Sequence, residues 1–447
     1  MTTLNAYDEL PYKSKPIEWT APERLALASL LHGGPRARLG EYRVLELGCA
    51  DGANLLPMAY FRPNASFVGI DNAESQITIA NKRKGALGVE NVEFMSVDFH
   101  DADRFLCGEF DFIIAHGVFS WIPDAARDAM LDLCARHLSR DGLFYLNYNT
   151  YPGWKVRGLV RRLLLTGTNT GAGLGERALL AQHIAAELAT SLAASIESSP
   201  HPFTQLLAKE LKFVSEHHHS YVAHEYLAAD NHAYWRSEFL RLVRDYGFDY
   251  VADADFSYPS SRGSLSSGSP NIHDESLNGE VDADTADLLC YRQLHSPILC
   301  LKPSVPRPPT NDELSNLTIA SCLIACTGND GNEDMFWHPS GYTVEAKEDA
   351  IGAAFVRLLP LWPLGVRIAD LFSEVATATV IDDLKLLHRN GLIEMRCPPP
   401  RESFGSSELL NRMEAAYGDY VTTPYHTREA VPAHWVAGSS TVTAAEP

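Results

Sequence analysis

The first third of the chain alternates short apolar runs with stretches whose apolar residues recur at helical spacing. Residues 44–47, 67–70, 92–97 and 110–115 are the apolar runs, and residues 53–60 and 75–84 are the helical stretches between the first three. Residues 124–137 predict a further helix and residues 142–148 a fifth strand. The fourth run, broken only by Asp111, is continuous enough in hydrophobicity to be a strand buried on both faces. A short amphipathic helix over residues 24–31, opened by Pro22, precedes the series. Alternation of this kind predicts an α/β fold with a mostly parallel sheet and helices on both sides.

The alternation stops near residue 159. Residues 159–214 are helical in tone, with an Ala-, Leu- and Glu-rich run over 176–195 and no strand pattern. It resumes with an amphipathic helix over 234–246, capped by Gly247, and strands over 248–252 and 296–301 that add an antiparallel edge to the sheet. A Ser-rich span over 256–270 and an acidic span to Asp287 join those strands as a long polar loop. The prolines from 303 to 309 read as a linker. Helices are then expected over 345–359, 368–371 and 380–387, and a short strand over 392–395 follows the Asn390-Gly391 turn. That order suggests a winged-helix-like domain. After Pro398 the Ser, Thr, Ala and Pro content predicts loose order.

Composition narrows the function. The 447 residues exceed one ordinary domain, and a net charge of 37 − 57 = −20 excludes general phosphate-backbone binding, so no nucleic-acid partner is expected. From residue 341 to 396, six Lys/Arg against eight Asp/Glu also argue against a duplex-binding winged helix and for protein contact. No apolar run approaches the roughly 18 residues that span a bilayer, so no membrane insertion is expected. The polar, acidic N-terminus does not follow the plan of a signal peptide. Eight scattered cysteines without a CxxC pair point to reduced thiols and a cytoplasmic setting.

Candidate chemistry gathers at the strand ends. The first run continues as Glu46-Leu47-Gly48-Cys49-Ala50-Asp51-Gly52-Ala53-Asn54, a tight turn that opens a helix. A Cβ at Gly48 or Gly52 would block the close approach of a nucleotide-like cofactor. Asp71 ends the second strand 20 residues beyond Asp51, placed to accept both ribose hydroxyls of an adenosine. Ala50 stands where dinucleotide enzymes need glycine so that pyrophosphate can meet the helix N-terminus. A sulfonium cofactor has no pyrophosphate and gains from carboxylates, which Glu46, Asp51, Asp71 and Asp98 supply. S-adenosylmethionine is therefore the expected cofactor. Asp98 would accept from the adenine amino group and Phe99 would cover the ring, although Phe99 fits a core role equally well.

The fourth strand ends in Ala115-His116-Gly117-Val118-Phe119-Ser120-Trp121, where His116 would orient or deprotonate an acceptor or else simply hold the turn; Trp121 reads as packing. After the fifth strand, Tyr148-Asn149-Thr150-Tyr151-Pro152-Gly153-Trp154 offers aromatic faces and amide oxygens for an alkylammonium, or a rigid aromatic turn over the sheet edge. His217-His218-His219 with His224-Glu225 has poor ligand spacing, and no metal is expected.

These segments, together with Tyr7-Asp8-Glu9-Leu10-Pro11-Tyr12 and His224-Glu225-Tyr226-Leu227, resemble bacterial class I methyltransferases that carry a methyltransferase regulatory domain, among them the rickettsial-type protein lysine methyltransferases. The likeness extends over most of residues 5–395. It implies a Rossmann-like sheet with a helical insertion, a winged-helix-like C-terminal domain and a homodimer. It also implies cofactor contacts at Gly48, Asp51, Asp71 and Asp98, with Tyr12 as a lid. The expected divisions are residues 1–165 (methyltransferase core with its N-terminal lid), 166–224 (helical insertion), 225–303 (regulatory region and completion of the sheet), 304–398 (winged-helix-like) and 399–447 (tail). The expected reaction moves a methyl group to an acceptor amine, most readily a protein lysine. His116, Tyr151 and Trp154 would stand at the acceptor, and Tyr12, Glu46, Gly48, Asp51, Gly52, Asn54, Asp71, Asp98, Phe99 and His116 around the cofactor. A small-molecule N- or O-methyltransferase and a noncatalytic binding protein are the alternatives.

Overall fold

The computed structural model describes residues 6–12, 14–198, 200–254, 279–303, 305–327, 334–346, 349–362, 365–372 and 378–397. The Ser-rich span 256–270 and the tail after Pro398 lie outside them. The chain forms two compact units: residues 1–16, 41–250 and 261–304 make the first, and residues 17–40, 251–260 and 305–447 the second.

In chain order the elements to residue 301 are α1 (Ala6–Glu9), α2 (Pro22–Leu31, in the second unit), β1 (Arg43–Leu47), α3 (Leu55–Phe61), β2 (Ser66–Asp71), α4 (Glu74–Leu87), β3 (Val92–Ser96), β4 (Phe110–Ala115), α5 (Asp124–His137), β5 (Leu138–Leu146), β6 (Tyr148–Thr150), α6 (Gly153–Gly167), α7 (Leu174–Ser198), α8 (Pro202–Glu216), α9 (His219–Tyr226), β7 (Ala233–Tyr234), α10 (Arg236–Asp245), β8 (Phe248–Asp253), α11 (Gly279–Cys290), β9 (Leu294–His295) and β10 (Pro297–Leu301). Seven strands form one sheet in the order β3-β2-β1-β4-β5-β10-β8. The pairs from β3 through to β5 are parallel, and β10 runs antiparallel to β5. The strand order reverses direction about β1 and β4, the place where open α/β sheets bind ligands. The apolar runs read from the sequence are these strands because both faces are covered. Leu45, Leu47, Ile113 and Ala115 join Met130, Leu131 and Leu133 of α5 and Phe239 and Val243 of α10 in one buried cluster.

The fifth strand departs from expectation. It starts at Leu138 and ends at Leu146, and the chain then leaves the sheet. Asn147 makes the break: its side-chain oxygen accepts the Gly117 N–H at 2.6 Å, while its own N–H goes to the Ala115 carbonyl at 3.3 Å. Tyr148–Thr150 then pairs with β7 and β9 in a separate three-stranded sheet. The helix expected over 234–246 consequently begins at Arg236, because Tyr234 is spent on that sheet.

The acidic span before Asp287 is in part a helix rather than a loop. In α11, Asp284 accepts from the backbone and hydroxyl of Ser237 at 3.0 and 2.6 Å, and Asp287 meets buried His295 at 2.7 Å. Those acids are polar partners for the interior. Helix α7 also corrects the expectation of no bilayer-length run: residues Leu174–Glu197 reach that length and apolarity. Its Ala178, Ala181 and Ala185 pack with Leu211 and Val214 of α8 and Val222 and Tyr226 of α9 in a second cluster.

The second unit holds α2, α12 (Asn311–Ser315), α13 (Asp349–Leu358), α14 (Ile368–Leu371) and α15 (Ala378–Arg389). Its described residues include two three-stranded sheets. Val366–Arg367, Thr318–Ala320 and Glu394–Arg396 form one; Ile324–Cys326, Met335–Trp337 and Thr343–Glu345 form the other, a meander absent from the sequence reading. The helix expected from residue 345 starts at Asp349 because Glu345 closes that meander.

Candidate active site

The turn after β1 is held by its own chain. Gly48, Ala50 and Gly52 all have positive φ, at 69°, 47° and 75°. The two glycines are required by that conformation and by packing. A Cβ on Gly48 would come within 2.5 Å of Val118, and one on Gly52 within 2.7 Å of Phe94. The space they leave is thus filled first by protein atoms, a different reason from the ligand clearance read from the sequence. Ala50 accepts the left-handed region because its N–H is fixed by an Asp71 carboxylate oxygen at 2.9 Å.

Asp71 ends β2 half-buried, and its other oxygen accepts the Ala73 N–H at 2.9 Å. Burial pushes its carboxyl up, against the pull of the Ala73, Ala50 and Asn72 N–H groups. Those three donors leave one of the carboxylate's four lone-pair positions for a further donor. Glu46 is buried within β1. One of its oxygens accepts from the Asn54 side-chain amide at 2.8 Å, and the other has no hydrogen-bond partner. Burial carries its carboxyl up to about 8, with Asn54 opposing and the charges of Asp71 and Asp51 adding. A buried carboxylate oxygen without a partner, flanked by two more acids, is built for a cationic or N–H-bearing ligand.

Asp51 is engaged already. It pairs with Arg83 at 2.6 Å and accepts from the Ser14 hydroxyl and the Ala53 N–H. Asp98 is exposed at the end of β3 and accepts from the N–H and ring Nδ1 of His100 at 3.0 and 2.6 Å. Its carboxyl lies below its usual value: partial burial raises it, but the His100 bonds more than offset that. Phe99 packs, partly buried, against the main core cluster.

His116, half-buried at the end of β4, sits with Nδ1 2.8 Å from the Tyr145 hydroxyl, its ring stacked on that of Tyr145. Burial, with a smaller contribution from Lys15, lowers it to about 4, so it is neutral at pH 7. Tyr151 hydrogen-bonds through its N–H to the Tyr234 carbonyl at 3.1 Å, and the Lys155 ammonium lies 4.0 Å from its ring centroid. Trp154 is buried, edge-on to Trp121 at 5.5 Å and 5.4 Å from the Arg157 guanidinium.

The N-terminal segment crosses the carboxyl ends of the parallel strands. Asp8 accepts from Ser75 at the start of α4, Ser14 donates to Asp51, and the charge of Lys15 reaches His116. The same segment grips α9. Tyr7 stacks on His224 at 4.5 Å, Tyr12 meets its edge at 5.7 Å, and His224 Nε2 donates to the Leu10 carbonyl at 2.7 Å. Tyr7, Arg157, Glu210 and Glu225 were given no role by the sequence. The available signal was the pair of motifs at residues 7–12 and 224–227, which pack against one another. Of the histidine run, His217 bonds the Phe213 carbonyl and His218 caps α9. Among the described residues no group of three His, Cys, Asp or Glu side chains is placed to hold a metal.

Two family models match the chain. Residues 40–160 match the model of a methyltransferase domain, and residues 218–300 that of a predicted methyltransferase regulatory domain. A Rickettsia prowazekii protein of uncharacterised function is 33% identical over 319 residues, which cover 70% of this chain and 56% of that protein; the chain thus spans little more than half of it. A second protein from that organism, also uncharacterised, is 30% identical over 246 residues, 54% of this chain and 95% of the relative. The structure of PKMT2 from Rickettsia typhi in complex with AdoHcy superposes with a TM-score of 0.72 over 89% of this chain and 79% of that one, at 21% identity, a likeness of fold.

Proposed function

The chain belongs to the class I methyltransferases that carry a methyltransferase regulatory domain, and from that membership we propose that it transfers a methyl group from S-adenosylmethionine to a protein lysine. The observation that carries the cofactor part is Glu46: a buried carboxylate whose second oxygen lacks a partner, at the bottom of a turn ringed by acids. S-adenosylmethionine supplies an electrophilic methyl on a cationic sulfur. Glu46, with the backbone from Gly48 to Asp51, would hold the amino-acid end. Asp71 would use its remaining lone pair on a ribose hydroxyl, and Asp98 would accept from the adenine amino group beside Phe99. Asp51 acts mainly through the turn it fixes with Arg83 and Ser14.

Catalysis by such a site is mostly positioning and exclusion of water, because the nucleophile must be a neutral amine about 3 Å from the methyl carbon. His116 would orient the acceptor. Tyr151 and Trp154 would shape its approach, Trp154 through its packing on Trp121 and Arg157. The protein acceptor is supported by the resemblance in fold to PKMT2. The deciding experiment incubates the protein with methyl-labelled S-adenosylmethionine and a bacterial lysate, then separates protein from small molecules. Label on lysine in the protein fraction is expected. Label confined to small molecules would remove the protein acceptor, and no transfer at all would remove the enzyme.

A further inference from the structure

A cluster of titratable side chains that the cofactor site does not use lies where the N-terminal segment meets α9. Glu225 stands at its centre, half-buried, with no hydrogen bond or ion pair to its carboxylate among the described residues. Its charge acts on the phenols of Tyr7, Tyr12 and Tyr221. Arg157 is the cation whose charge acts on it, but it is committed elsewhere. Its Nε donates to Glu210 at 2.8 Å, it bonds the Tyr221 hydroxyl, and its guanidinium lies over the rings of Phe213 at 5.0 Å and Tyr226 at 5.7 Å. Glu210 therefore balances Arg157, and Glu225 is a carboxylate in surplus.

Tyr7 joins this cluster to the cofactor site. Its phenol feels Asp71 as well as Glu225, and burial together with those charges pushes it up to about 12. The next residue, Asp8, is tied to Ser75 at the start of α4. Tyr7 and Tyr12 are fixed by His224, which stacks on one and meets the edge of the other. Tyr221 lies one turn before Glu225 on α9, and Tyr7 and Tyr12 pack on His224, the residue before it; an unpaired carboxylate beside electron-rich rings is the arrangement that selects an organic cation.

We propose that Glu225, beside Tyr7, Tyr12 and Tyr221, is the acceptor subsite, binding the terminal ammonium of a primary alkylamine such as a lysine side chain and taking its proton before transfer. The proposal rests on the methyl-transfer reading above. The balance is simple. The ammonium gives one proton to the Glu225 carboxylate, leaving a neutral amine. The amine lone pair forms the new N–C bond as the C–S bond breaks, and that bond's electron pair stays on sulfur. The product is a secondary ammonium and a neutral thioether, and Glu225 returns its proton to water. Burial lifts the Glu225 carboxyl to about 7, with Arg157 holding it below what burial alone would give, so it exchanges a proton readily near neutrality. His116, bonded to Tyr145 and lowered to about 4, is a much weaker base.

The test uses the full chain and three ligands: S-adenosylhomocysteine, a bisubstrate analogue with an aminobutyl arm in place of the methyl, and its butyl counterpart. Wild-type protein is expected to prefer the aminobutyl arm over butyl by about tenfold or more, the magnitude of one well-placed charged contact. Glu225→Gln should abolish that preference while leaving S-adenosylhomocysteine affinity within about twofold. Tyr12→Phe, which keeps the ring, should retain most of it. In wild-type protein the preference should fade as pH drops below 7, a readout that stands even if Glu225→Gln folds poorly. A preference that survives Glu225→Gln, or that is absent at pH 8 in wild-type protein, overturns the assignment. If S-adenosylhomocysteine itself does not bind, the methyl-transfer reading fails first and takes the subsite with it.

Discussion

The carboxylate of Asp71 accepts the N–H groups of Ala50 and Ala73 at 2.9 Å each, so its removal strands two backbone donors in a turn already strained at Ala50. Asp71→Ala is expected to lower stability by about 2–4 kcal/mol, because each abandoned donor costs roughly 1–3 kcal/mol. Denaturant unfolding reads that loss, and calorimetric titration should show at least a tenfold drop in S-adenosylmethionine affinity; unchanged affinity would sink the ribose assignment. Glu46 makes a separate prediction. Its folded carboxyl, near 8, exceeds the ordinary value of 4.5, so the folded state holds the extra proton between those limits. The favourable contribution is complete below about pH 4.5 and is lost as pH rises toward 8. A cationic amino-acid end beside Glu46 favours its charged form, so cofactor binding at pH 7 should release close to one proton. Titration in buffers of different ionisation enthalpy measures this, and Glu46→Gln should remove the release. At this scale the acids were legible because Asp71 ends an apolar strand and Glu46, Asp51 and Asp98 lie in one or just beyond it. Their partners were not, since Arg83 and Ser14 reach Asp51 from 32 residues ahead and 37 behind.

The N-terminal segment and α9 depend on each other, and their coupling runs through one imidazole. His224 is buried, lowered from its usual value by desolvation although its bond to the Leu10 carbonyl pulls the other way. His224→Ala deletes that bond and the stacking surface for Tyr7. It should loosen residues 6–12 by about 1–2 kcal/mol, from one hydrogen bond and one aromatic pair. Hydrogen exchange should show faster amides at Leu10 and in α9 with little change in β1 or β4. Unchanged exchange at Leu10 would mean that Asp8 and Glu9, bonded to Ser75 and Leu174, suffice to hold the segment. Elements of this molecule were readable in proportion to their length. The helix at residues 124–137 and the strand at 110–115 stand where their periodicity places them. The strands β6, β7 and β9, of two or three residues, are too short to show any period, and they exist because backbone groups of Thr150, Tyr234 and Gln293 find each other across the fold. Helix α11 was hidden for another reason: its acids face Ser237 and His295, whereas composition alone assigns acids to solvent.

Across the whole molecule, 57 acids against 37 bases give a chain of net charge −20. Charge of that size does not decide the fold, but it sets how partners approach. A protein that presents lysine side chains is drawn toward such a field before any specific contact forms, whereas a zwitterionic cofactor with one extra positive charge gains less. The two ligands should therefore separate in salt. Raising ionic strength from about 0.02 to 0.5 M shortens the Debye length from roughly 20 Å to about 4 Å, removing attraction beyond the first contacts. For a lysine-bearing protein acceptor, kcat/KM is expected to fall about tenfold or more, with kcat within about twofold, because encounter is screened and chemistry is not. For a short acceptor peptide with a single lysine and no other charge, the fall should be less than about threefold. Steady-state transfer of labelled methyl groups measures both. Equal salt dependence for protein and peptide would mean that the distributed charge steers neither. Selection would then lie wholly with the local groups around Glu225 and the aromatic turn, and the acidic surface would serve solubility alone.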